Sequence, residues 1–117
     1  MTTSTDRLHP DLTERVFQTR VIELARWHRL RVFHSGDSRR DLCAGFPDLV
    51  FVGPGGHVFA ELKTETGRVR PEQHAWLNAL REAGATAHLW RPSDWPDIQA
   101  TLRDLARPAP TTRTDQR

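Results

Sequence analysis

Gly45-Phe46-Pro47-Asp48-Leu49-Val50-Phe51-Val52-Gly53-Pro54-Gly55-Gly56-His57-Val58-Phe59-Ala60-Glu61-Leu62-Lys63 is the stretch from which the fold follows. Residues 49–52 and 58–62 are apolar, β-branched and aromatic runs on either side of Gly53-Pro54-Gly55-Gly56. That is strong turn chemistry, and the pattern predicts a β-hairpin. Side chains alternate along a strand, so Val58, Ala60 and Leu62 face one way while Phe59, Glu61 and Lys63 face the other. Asp48 opens the first arm, and folding back across the glycine turn brings it beside Glu61 near the open end. Two carboxylates held together repel unless something positive lies between them, and a divalent cation is the usual answer. A hard ion such as Mg²⁺ suits oxygen ligands. With Lys63 on the same face, this is the equipment for metal-assisted phosphodiester hydrolysis. Taken singly, Pro-Asp is common at turns and Glu-x-Lys on solvated strands. The apolar neighbours Phe46, Leu49 and Leu62 do not read as an ordinary wet edge.

Outward from the hairpin, the pattern reads helix, strand, strand, strand, helix, strand, helix. The first helix begins near Asp11 or Leu12 and runs to about Arg29, with Phe17, Val21, Leu24 and Ala25 at helical spacing. Arg31-Val32-Phe33-His34 reads as a short strand. Pro71 is placed as a first helical residue, with Gln73, Trp76, Leu77 and Leu80 on one face and Gly84 as the stop. Residues 86–90 read as another strand, and Ser93 as the cap of a last helix striped by Ile98, Leu102 and Leu105. The expected fold class is α/β, a small mixed sheet flanked by helices. Met1 to Pro10 and residues 107–117 are polar, unpatterned tails, the second one basic, which leaves 11–106 as the folded domain.

Composition bounds the answer further. The 117 residues suit one domain with one modest core. A formal net charge of +2 and a pI near 9.5 are compatible with an anionic partner without being diagnostic of one. The single cysteine, Cys43, excludes an internal disulfide framework and suits a reducing cytoplasm. No apolar run approaches the ~20 residues of a membrane span, and residues 1–6 lack a signal-like apolar region, so a soluble cytoplasmic protein is expected. The histidines are scattered, and no histidine–cysteine cluster has the spacing of a structural zinc site. His34 and His57 near strand ends read as surface residues.

Two polar residues fall where a helix packing on the sheet would place apolar ones. Glu14 shares the stripe of Phe17 and Val21, which makes it a candidate third carboxylate; Asp11-Leu12-Thr13-Glu14 reads equally as a capping box. Gln73 should face inward from the first turn of its helix. There it either holds a carboxylate, the lysine or a phosphate, or is a partly exposed N-terminal glutamine. Ser38-Arg39-Arg40 before the hairpin, and Arg68 with Arg70 after it, flank the proposed site with groups able to grip phosphates, or are simply solvated. Nothing reads as a base-recognition helix.

Gly45-Phe46-Pro47-Asp48-Leu49-Val50, then Glu61-Leu62-Lys63-Thr64-Glu65-Thr66-Gly67, then Pro71-Glu72-Gln73-His74-Ala75-Trp76-Leu77 resemble the VRR-NUC branch of the PD-(D/E)XK nuclease superfamily. The resemblance extends from about residue 14 to 95. It implies a restriction-endonuclease-like αβββαβ core in which Asp48 and Glu61 bind Mg²⁺ or Mn²⁺ and Lys63 orients or polarises the attacking water. Gln73 matches the glutamine of the family's helix motif, and Glu14 the first-helix glutamate that often completes the site; the backbone carbonyl of Leu62 is a further candidate ligand. None of the five side-chain positions departs from the pattern. Stand-alone members look like dimeric structure-specific endonucleases, so the resemblance implies a homodimer cutting branched DNA such as Holliday junctions or flaps, in keeping with a phage or mobile element. A nicking or restriction-like nuclease on linear DNA, and a non-catalytic nucleic-acid-binding module, are the alternatives. Trp90 and Trp95 fit a dimer interface or the core equally well.

Overall fold

The computed structural model describes residues 7–35 and 44–109. Its elements run α1 (Glu14–Trp27), β1 (Arg31–His34), β2 (Leu49–Gly53), β3 (Gly56–Leu62), α2 (Pro71–Glu82), β4 (Ala87–Trp90) and α3 (Trp95–Leu105), with a 3-10 turn over Pro92–Asp94. The element order is the one the hydrophobic pattern predicts, and the chain is α/β with a mixed sheet. Ser38, Arg39 and Arg40 lie outside the described residues.

The four strands lie in the order β1-β2-β3-β4. β1, β2 and β3 pair antiparallel, while β4 joins β3 in parallel after the crossover through α2. The β2–β3 register closes at Gly53 opposite Gly56, which leaves Pro54-Gly55 as the loop. Gly55 N–H donates to Leu105 O at 2.9 Å, so the turn also satisfies a carbonyl that α3 cannot pair internally.

One face of the sheet carries the core. Leu49, Phe51, Val58, Ala60 and Leu62 are buried there against Phe17, Val21 and Ala25 of α1 and Ile98, Leu102 and Leu105 of α3. Each fully buried aromatic or aliphatic side chain contributes about 1.5–3 kcal/mol, and this layer fixes the hairpin's orientation. The i, i+4, i+8 spacing of Phe17, Val21 and Ala25 is what turns α1 onto it. α2 lies on the opposite face, where Gln73 meets Glu61.

The local departures from expectation have identifiable causes. α1 starts later than Asp11 because Thr13 is the cap: its Oγ1 accepts from Val16 N–H at 3.2 Å. Glu14 is therefore the first helical residue and not the glutamate of a capping box. α1 ends before Arg29, which adopts φ 62° while Arg29 N–H and Leu30 N–H bond to Arg26 O and Ala25 O. This is the same terminal motif that Gly84 forms at the end of α2 with φ 93°, built on a residue type that gives no sequence signal for it. Ser93 does not cap α3, whose cap position is taken by Asp94, the last residue of the 3-10 turn; Ser93 N–H instead donates to Glu65 Oε1 at 3.0 Å. Trp90 and Trp95 are buried in the core at 3% and 7% exposure, so neither is available to a dimer interface. Leu8, near the start of the described chain, packs against the same core. Among the described residues no helix is long and apolar enough to cross a membrane.

Candidate active site

The loop entering β2 is fixed by backbone contact. Gly45 has φ 88°, and a Cβ there would lie 2.6 Å from the carbonyl carbon and oxygen of Glu72, so only glycine lets this loop lie against the first turn of α2. Pro47 is fully buried behind it. Asp48 follows, its position set from both sides.

Leu49 pairs with Ala60, and the same register carried one residue further puts Asp48 opposite Glu61. On the other side Ser35 N–H donates to Asp48 O at 2.9 Å, which extends the β1 pairing to the same level. Two like charges directly opposite on adjacent strands destabilise a sheet. Asp48 Oδ2 accepts Leu62 N–H at 2.9 Å. Glu61 is only 2% exposed; its Oε2 accepts from Gln73 Nε2 at 2.7 Å, and its Oε1 is buried with no hydrogen-bond partner. Gln73 Oε1 in turn accepts Arg70 N–H at 2.8 Å, which fixes which end of the amide meets the carboxylate. Lys63 Nζ stands 3.9 Å from Glu61 Oε2, with the lysine side chain 13% exposed.

The electrostatics follow from burying several charges together. Burial, then the neighbouring Asp48 carboxylate, push the Glu61 carboxyl up to about 8, against the pull of Lys63 and Arg70. Burial also raises Asp48, opposed by the Leu62 N–H, by Lys63 and His34, and by a hydrogen bond with Glu61. The two carboxyls therefore titrate together and not independently. Glu14 is raised too, by partial burial and then by Asp48, with Lys63 and Arg70 opposing. It therefore belongs to the same electrostatic cluster from the first turn of α1.

The structure thus gathers Glu14, Asp48, Glu61, Lys63, Gln73 and the Leu62 N–H at one end of the sheet. Among the described residues, however, no group of three histidine, cysteine, aspartate or glutamate side chains is close enough to hold a metal ion. Asp48 and Glu61 meet; Glu14, on a mostly exposed residue at a helix start, does not close onto them. Of the two arginines after the hairpin, Arg70 is half-buried, 3.5 Å from Glu72 through Nε, and close enough to Glu14 and Glu61 to lower both, whereas Arg68 is exposed.

Arg91 is a residue the pattern did not single out. Its Nη1 donates to Thr64 O at 2.7 Å, Gly67 O at 2.9 Å and Glu65 O at 3.2 Å, clamping the loop that leaves Lys63. An arginine just past a strand carries no local signal for such a role, because its partners are 24 to 27 residues away.

The chain is similar to known proteins in family and in fold. The model of the VRR-NUC domain matches residues 3–93. A solved structure described as a VRR_NUC domain protein superposes with a TM-score of 0.60 at 23% identity, over 81% of this chain and 91% of that one. Among curated proteins none matches the chain.

Proposed function

The chain belongs to the VRR-NUC domain family, a nuclease-type family, and from that premise we propose that it is a metal-dependent endonuclease hydrolysing phosphodiester bonds in branched DNA, Holliday junctions or flaps, as a homodimer. We assign the nuclease domain to residues 11–106.

The observation that carries the reading is the cross-strand pair of half-buried Asp48 and buried Glu61, with Glu61 Oε1 unpartnered. A sheet does not keep two opposed carboxylates, one of them buried, for stability; the pair makes sense where a cation neutralises it. The donors also fit the group. They are all oxygens, as a hard divalent ion prefers, and Mg²⁺ is commonly held by one or two carboxylates with its remaining positions left to water and phosphate. Asp48 and Glu61 would hold Mg²⁺ or Mn²⁺, with Glu14 and the Leu62 carbonyl as further donors. Such an ion, when bound, supplies Lewis-acid stabilisation of the negative charge that builds on the attacked phosphate and on the leaving oxygen.

The side chains do the rest. Lys63, cationic and beside Glu61, orients and polarises the attacking water and stabilises negative charge on the phosphate. Gln73 keeps the Glu61 carboxylate aimed, because its amide is locked by the Arg70 N–H. Arg70 adds positive charge where the phosphate must sit, and Arg68, Ser38, Arg39 and Arg40 are proposed to grip the flanking backbone. One domain has one such site and cuts one strand, while symmetric cutting of a junction needs two sites related by a two-fold axis.

The test is cleavage of matched four-way-junction, flap, linear-duplex and single-stranded DNA with Mg²⁺ or Mn²⁺, beside an EDTA control. Metal-dependent cuts placed symmetrically in the junction support the full reading. Equal rates on all four substrates overturn the branched preference, and tight binding without cleavage of any substrate overturns the enzyme.

A further inference from the structure

Asp48 and Glu61 share their face of the sheet with an apolar row that is open at one end. Phe33 pairs with Val50, and Val50 with Phe59, so these three lie across β1, β2 and β3 at one level. The next level on that face is Arg31, Val52 and His57. Val50 is two residues from Asp48 along β2, a separation of about 7 Å. At the β3 end the row is sheltered: Phe46 packs edge-on against Phe59 at 6.0 Å and against Trp76 of α2 at 5.0 Å. At the β1 end it is not, and Phe33 is 61% exposed beside Val52 at 46%.

A lone exposed aromatic means little. The position of this one means more. α2 stands over the β3 side of the carboxylates, so the face left for a strand whose phosphate lies over Asp48 and Glu61 is that of β2 and β1. There it meets Phe33 and Arg31. The six side chains of these two rows include an arginine and a histidine and no carboxylate, which complements a phosphate backbone.

We propose that Phe33 and Arg31 form a single-strand platform, on which an unpaired base next to the scissile phosphate stacks on Phe33 while a neighbouring phosphate pairs with Arg31. The proposal rests on the nuclease reading and names what selects its substrate. A base inside a duplex has both faces covered by its neighbours and gives an exposed ring nothing to stack on. An unpaired base has a free face, and stacking of this kind tolerates any sequence. The platform therefore favours flaps, splayed branch arms and single strands over continuous duplex, without reading bases.

The experiment compares wild type, Phe33→Ala and Phe33→Trp. Binding of a labelled oligothymidylate and of a matched blunt duplex is followed by anisotropy in Ca²⁺, and cleavage of both in Mg²⁺. Phe33→Ala should weaken single-strand binding roughly tenfold or more while leaving duplex binding within about twofold, and Phe33→Trp should restore it. Unchanged single-strand binding in Phe33→Ala, or an equal loss on both DNAs, overturns the platform. If no protein cleaves either DNA, the nuclease reading falls, while the binding measurements still judge Phe33. Size-exclusion chromatography closes the remaining route: a Phe33→Ala variant that turns a dimer into a monomer makes this face a subunit interface and overturns the proposal.

Discussion

Replacing Glu61 with glutamine should make the metal-free protein more stable, and the size of the gain should depend on pH. Glu61 ionises at about 8 in the fold against 4.5 for the free side chain. A carboxyl whose folded value is raised favours the folded state below about 4.5 and loses that advantage steadily as pH rises to about 8, because the unfolded chain sheds its proton first. At pH 8 the span corresponds to about 4 kcal/mol. Because Glu61 titrates together with Asp48, about 2–4 kcal/mol is the range to expect from removing the ionisation. The new amide is nearly isosteric, and its oxygen can accept from Gln73 as the carboxylate does. Thermal melts of wild type and Glu61→Gln at pH 5 and pH 8 in EDTA read the effect directly. At about 4–8 °C per kcal/mol, the variant should melt roughly 8–30 °C above wild type at pH 8 and only slightly above it at pH 5. Added Mg²⁺ should close the gap at pH 8 by raising the wild type alone. A variant that melts at or below wild type at pH 8 without metal, or a gap of equal size at both pH values, refutes the claim that Glu61 is a buried carboxylate whose ionisation the fold disfavours.

Gln73→Leu leaves the Arg70 N–H and Glu61 Oε2 unpaired; chemical denaturation should show a loss of about 1–3 kcal/mol. Arg91→Ala removes three bonds to the Thr64, Glu65 and Gly67 carbonyls and should cost about 2–4 kcal/mol with faster proteolysis of that loop, and Arg91→Lys should not restore it, since one ammonium cannot reproduce the guanidinium fork. Gly45→Ala puts a Cβ 2.6 Å from the Glu72 backbone at a positive φ; a destabilisation of about 2–4 kcal/mol by the same assay is expected, together with lost activity as Asp48 shifts.

Most of the architecture was legible because each element carries its own period. The glycine turn between two apolar runs placed β2 and β3 in register, and with them Asp48 opposite Glu61. Pro71 and Gly84 bracketed α2, so the inward aim of Gln73 followed from helical spacing alone. The signals that failed were those with no local chemistry. Thr13 outcompeted Asp11 as the cap through a hydrogen bond that a sequence cannot rank, Arg29 took a backbone conformation usually reserved for glycine, and a 3-10 turn displaced Ser93 from the start of α3. Glu14 reads from the sequence as inward-facing, yet it is exposed at the start of α1, and its distance from the pair depends on how α1 crosses the sheet. Arg91 and Phe33 were invisible for a related reason: the first acts on a loop far away in sequence, and the second matters only because it shares a face with Asp48.

The most direct measurement is single-turnover cleavage of a flapped oligonucleotide in Mg²⁺ by wild type, Asp48→Asn, Glu61→Gln and Lys63→Ala, each first shown to be folded. Wild type should cut and lose all activity in EDTA, with every variant at least roughly a hundredfold slower. A folded wild type that never cuts with Mg²⁺ or Mn²⁺, or a Lys63→Ala or Glu61→Gln variant that cuts as fast as wild type, would contradict the assignment of this carboxylate pair and lysine as the catalytic centre.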